Sequence, residues 1–122
     1  MKMTQKKLEQ LVRKWQKILR LQDWKIEVKW VNRNELDSGS NAEVSLCVNQ
    51  KVATVGVIKP EDHSTWNNKE QDIEKSIVHE LLHLPLQSIE NYARKGEESA
   101  LDNAVENVTH LISEALIILD RK

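Results

Sequence analysis

Ser76-Ile77-Val78-His79-Glu80-Leu81-Leu82-His83-Leu84 is an apolar stretch interrupted by three side chains that carry chemistry. Ile77, Val78, Leu81, Leu82 and Leu84 are apolar over several faces of a helix, so the spacing predicts a helix inside the protein. Histidines four apart sit about 40° apart around that helix and roughly 6 Å along it, close enough for both imidazoles to reach one tetrahedral ion. Glu80 directly follows the first histidine. From there a carboxylate leans over a metal-bound water and acts as general base without ligating the ion. The H-E-x-x-H pattern therefore points to one zinc per chain, held by His79 and His83, and to metal-assisted hydrolysis. The bland alternative is a pair of core histidines bonded to backbone around a surface glutamate. It fits the apolar setting less well, because dry unpaired polar groups are costly.

Working outward, residues 4–21 carry Leu8, Leu11, Val12, Trp15, Ile18 and Leu19 as the stripe of an amphipathic helix, with Thr4 as its N-cap. Trp24, Ile26, Val28 and Trp30 alternate with Lys25, Glu27 and Lys29, the period of a strand with one buried face. Residues 32–41 have turn chemistry. Residues 42–48 and Val52 to Ile58 read as a β-hairpin around Asn49-Gln50-Lys51, where the lack of a glycine leaves the turn type open. The motif helix is expected to begin near Lys69, after a polar loop containing His63 and Trp66, and to stop at Pro85 near Leu84. A polar connection, residues 87–96, leads to a long C-terminal helix. Its expected buried stripe is Leu101, Val105, Val108, Ile112, Ala115, Leu116 and Leu119. The expected fold class is α+β in the order α-β-β-β-α-α, with a small three-stranded, mostly antiparallel sheet.

At 122 residues the chain is expected to be a single domain spanning 1–122. Its 18 basic and 19 acidic side chains are interspersed, giving a net charge of −1 and no electrostatic footprint for nucleic acid. The lysine-rich start reads as the wet face of the first helix. No apolar run is long enough to span a membrane and the start lacks a secretory leader, so a cytoplasmic protein without a membrane partner is expected. Cys47 is the only cysteine, which excludes an internal disulfide and a thiolate zinc cluster. Trp15, Trp24 and Trp30 fall on apolar faces and read as core.

A catalytic zinc site needs a third protein ligand. The acidic or imidazole candidates after the motif are Glu90, Glu97, Glu98, Asp102, Glu106, His110 and Glu114. Glu106, 23 residues beyond His83 and beside Val105 and Val108, is the first choice, ahead of Glu98 and Asp102. Asp102 could instead accept a hydrogen bond from the outer ring nitrogen of a liganding histidine. His110, one turn past Glu106, or Tyr92 could donate to an oxyanion, although a surface histidine is the commoner case.

With these residues the chain resembles the zincin metallopeptidases, and more narrowly the very small gluzincin-like type, the minigluzincins and related phage and bacterial proteins. The resemblance rests on His79-Glu80-Leu81-Leu82-His83, the preceding alternating strands, and Glu106-Asn107-Val108 in a later helix. It implies a small twisted sheet packed on the motif helix, an edge strand that pairs with an extended peptide substrate, and a glutamate from a later helix as third ligand, here Glu106. The N-E-x-x-S-D sequence of larger gluzincins is not matched, Glu98 and Asp102 copying only its acid-to-acid spacing, and the metzincin extension is absent. The expected function is a zinc-dependent peptidase with Glu80 as base and the strand Val52 to Ile58 holding the substrate backbone. The alternative is a non-catalytic, zinc-stabilised protein-interaction domain.

Overall fold

The computed structural model describes residues 3–36, 40–62, 72–90 and 98–122. Helix α1 (Gln5–Ile18) opens on Thr4, whose hydroxyl accepts the Lys7 N–H at 3.1 Å. Leu8, Val12 and Trp15 lie on its buried face, together with Gln16. The helix closes with paired bonds, Leu21 N to Gln16 O at 2.7 Å and Arg20 N to Lys17 O at 3.2 Å, around Arg20 at φ 59°. This is a Schellman ending with arginine in the position that glycine usually takes. Gln16 fixes the turn from inside, its amide donating to the carbonyls of Leu21 (2.9 Å) and Trp24 (2.7 Å).

Strands β1 (Lys25–Val31), β2 (Ala42–Cys47) and β3 (Val52–Ile58) form one sheet in the order β1-β3-β2. β1 runs parallel to β3, with Val28 opposite Val55, and β2 runs antiparallel to it, with Val44 opposite Val55. The sheet is therefore mixed, one pair of each kind, rather than mostly antiparallel. The long link from β1 to β2 carries the chain across to the far edge, and the hairpin then lays β3 back between them in the direction of β1. Lys51 adopts φ 53° and its N–H bonds Val48 O at 3.2 Å, so the hairpin turns without glycine.

β3 is the central strand, buried at every position from Val55 to Ile58. Both of its edges are paired, which corrects its expected role as the strand receiving a substrate backbone. Among the described residues, β1 and β2 are the edge strands. Ile26, Val28, Ala53, Val55 and Val57 face α1 and α2 in a common core, with Trp24 buried beside them and Trp30 half-buried. Cys47 points the other way and is exposed.

Helix α2 (Ile73–Glu90) is capped by Asp72, whose carboxylate accepts the Lys75 N–H at 3.1 Å. Lys69, the expected start, lies outside the described residues. Pro85 does not end this helix, which continues to Glu90. The proline ring lies on the exposed side, while Leu84 is buried and Leu86 half-buried, so packing on the other side outweighs the lost backbone bond. Helix α3 (Glu98–Asp120) packs chiefly on α2. Its buried residues are Val105, Thr109, Ser113 and Ile117. The expected stripe is thus corrected: Val108, Ile112, Ala115 and Leu119 are exposed, Leu101 and Leu116 half-buried, and of the seven only Val105 is buried. Thr109 and Ser113 read as polar in sequence, yet their hydroxyls donate to carbonyls of their own helix, Val105 O (2.6 Å) and His110 O (2.9 Å). They then pack as small residues and let two helices approach.

The helix ends are tied by charge. Trp15 Nε1 donates to Glu74 at 2.6 Å, Lys14 bridges Glu74 (2.9 Å) and Asp120 (2.8 Å), and Arg121 forks onto both oxygens of Asp72 at 3.0 Å. No helix among the described residues is long and apolar enough to cross a membrane.

Candidate metal centre

α2 buries Ile77, Val78, Leu81, Leu82 and Leu84 between the sheet and α3. With those residues buried, His79 and His83 meet α3 at Glu106. The two rings lie 5.2 Å apart between centroids at 63°, edge to face. Glu106 comes from α3 into the gap, its two carboxylate oxygens 3.2 Å from His79 Nε2 and 2.8 Å from His83 Nε2. One ligand atom from each of the three residues can be chosen so that all lie within 4.8 Å of one another. In a tetrahedral zinc site with bonds of about 2.0–2.1 Å, neighbouring ligand atoms stand roughly 3.3 Å apart, so the spacing here is close to what an ion needs. Two neutral imidazoles and a carboxylate are also the donor set of hydrolytic zinc centres. The residues fit the group.

Burial favours the ligating form of His79. Desolvation holds its pKa below the ordinary histidine value despite the Glu106 carboxylate, which pulls the other way, and the neighbouring His83 adds to the lowering. Glu80 is buried, and desolvation, reinforced by the charges of Glu106 and Glu43, pushes its carboxyl up to about 8. It is one residue from His79 and is absent from the three-residue cluster, consistent with a group that is not a ligand.

Of the other acidic candidates, Asp102 is exposed and outside the cluster. Glu114 bonds Lys75 Nζ at 2.7 Å and lies 3.4 Å from His110 Nε2, so it belongs to a surface network. His110 is itself more than half exposed, one turn beyond Glu106. Glu90 is half-buried at the end of α2, its pKa raised by desolvation and then by Asp102 and Glu106, while His83 lowers it. Glu97, Tyr92, His63 and Trp66, and the side chain of Glu98, lie outside the described residues.

Glu43 is the neighbour that sequence reading missed. It stands on edge strand β2 opposite Gly56, and its charge is felt at Glu80. The signal was present as a lone acid between Ala42 and Val44 in an otherwise uncharged strand, but which strand faced the motif could not be read from it. Compared with protein-family models, curated proteins and solved structures, the chain finds no match in any of the three.

Proposed function

We propose that this chain is a zinc-dependent peptidase of zincin-like design, with His79, His83 and Glu106 as metal ligands and Glu80 as general base. One observation carries the reading: ligand atoms from two helices converge at 2.8 and 3.2 Å beside a buried carboxylate that adjoins the first histidine. A zinc ion held by His79, His83 and Glu106 would supply Lewis acidity toward a carbonyl and would lower the pKa of a water. The charge of a bound cation would favour the ionised form of Glu80 that burial disfavours in the metal-free site. That carboxylate takes a proton from the attacking water as the water oxygen bonds to the scissile carbonyl carbon. It then delivers that proton to the amine nitrogen as the C–N bond breaks. Burial shields the carboxylate from bulk water, so the proton passes between those two atoms.

The substrate in this reading is a peptide held in extended form along β2. Supporting β2 over the other edge is its packing on α2. The test is the metal content of protein purified without added metal, followed by digestion of a broad peptide library with zinc-loaded, chelated and Glu80→Gln protein. Zinc at one per chain, with cleavage lost on chelation and in Glu80→Gln, supports the peptidase. Stoichiometric zinc without cleavage of any sequence assigns the chain to a non-catalytic zinc domain instead.

A further inference from the structure

We infer that the outer face of α3 is a self-association surface through which two copies of this chain form a two-fold dimer. On the face turned away from α2, Val108 is 46 % exposed, Leu111 64 %, Ile112 38 %, Ile118 61 % and Leu119 62 %. The opposite side of the same helix, Val105, Thr109, Ser113 and Ile117, is already buried. The helix is therefore apolar on two faces, and the described residues of one chain bury only one of them.

The spacing of the outer face is regular. Ala104, Val108, Leu111, Ala115 and Ile118 alternate by four and three residues, the period of a helix-pairing seam, with Ile112 and Leu119 alongside. No charged residue interrupts it. The side chains alternate in size as well: Ala104 and Ala115 leave hollows between Val108, Leu111 and Ile118, and the ridges of an identical helix have the shape to enter them. An isologous contact lets each copy present both ridge and hollow. Covering all of these exposed side chains on two copies would remove at most on the order of 1,000 Å² in total from water, the size at which specific interfaces begin.

The charges beside the seam select against an anionic lipid surface. A helix that lies in a membrane interface carries lysine or arginine along its polar face. Here the charged residues of α3 are Glu98, Asp102, Glu106, Glu114 and Asp120, with cations only beyond its end at Arg121 and Lys122. Glu106 projects about half a turn around the helix from the seam, so pairing leaves both metal centres open.

The experiment is sedimentation velocity of the full chain over a concentration series, alongside Cys47→Ser and the double variant Leu111→Glu/Ile118→Glu. Wild type and Cys47→Ser should both pass from monomer to dimer as concentration rises through the series. The double variant should remain monomeric with its circular dichroism and zinc content unchanged, since neither residue is buried or near the ligands. If it fails to fold, Ala115→Arg places a charge in the seam and should abolish the dimer in its turn. A wild type that stays monomeric at every concentration overturns the inference, as does a dimer that survives these substitutions. Flotation of monomer with phosphatidylcholine vesicles, lost in the double variant, would assign the face to lipid and overturn it too. None of these readouts depends on peptidase activity, so the two readings fail separately.

Discussion

His83 Nε2 and Glu106 Oε1 stand 2.8 Å apart across the contact between α2 and α3. Two protein helices are thereby joined by a polar contact at a point where their apolar faces end. A cation placed between these groups would replace that contact with two stronger ones, and metal binding would also fasten α3 to the core.

If the centre is a zinc site, His79→Ala and His83→Ala should each lose stoichiometric zinc, and Glu106→Ala should weaken it. Free zinc at about a hundredfold its dissociation constant should stabilise the wild type by about 2.7 kcal/mol, and the double histidine variant not at all. Elemental analysis and thermal melts with and without zinc check both statements. Full occupancy in the double variant would sink the assignment.

Glu80→Gln is expected to remain folded and, under the proposed function, to bind zinc as the wild type does, because Glu80 stands outside the cluster of His79, His83 and Glu106. Removal of a general base typically lowers rate by about 10² to 10⁴, which sets the expected loss of peptide cleavage. Metal content and turnover measured on one preparation separate the two effects.

Glu80 also predicts a pH dependence in the metal-free protein. Its carboxyl is raised from an ordinary 4.5 to about 8 by burial and then by Glu106 and Glu43. The folded state keeps a proton that the unfolded chain releases, so this contribution is fully present below 4.5 and is lost as pH rises to about 8. His79 acts in the opposite sense: burial lowers its pKa, so its contribution is present above the ordinary value of 6.5 and is lost as pH falls below it. Between about pH 7 and 8 the contribution of Glu80 stands nearly alone. Denaturant melts of chelated protein should show stability falling over that window in the wild type and a flatter profile in Glu80→Gln.

The indole of Trp15, 1 % exposed, donates to Glu74 at 2.6 Å. Glu74→Ala leaves that buried N–H without its acceptor, a loss of about 1–3 kcal/mol by denaturant unfolding. Glu74→Gln, which keeps an oxygen there, should lose less. Equal losses would mean that the charge network with Lys14 and Arg121, rather than the indole bond, carries the effect.

At the end of α1, Arg20 occupies a left-handed conformation at φ 59°. Arg20→Gly should stabilise the protein by about 1 kcal/mol, less whatever the freer unfolded chain takes back. Arg20→Val, β-branched in the same conformation, should destabilise it.

The residues of α1 and β1 were legible because each buries one face, and a one-sided element leaves its period in the sequence: Leu8, Val12 and Trp15 recur at helical spacing, Ile26 and Val28 at strand spacing. α3 misled for the same reason in reverse. It has two apolar faces, and the stripe richer in large residues is the outer one, while the buried one uses Thr109 and Ser113 with their hydroxyls satisfied inside the helix. Sequence places Glu106 beside Val105 and Val108, of which Val105 is buried and Val108 is exposed, so only Val105 ties that position to the buried face.

By itself the sequence determined the element types, the α+β class and the presence of His79, Glu80 and His83 on one helix, because these depend on periodicity and on spacing within a few residues. Only the tertiary structure decided that β3 lies between β1 and β2, that β2 with Glu43 is an edge strand packed on the motif helix, and that Glu106 rather than Asp102 meets the histidines. Strand order and helix rotation are set by how buried surfaces fit together at long range. A one-dimensional pattern records which side chains are apolar, but it does not record which neighbour each face will find.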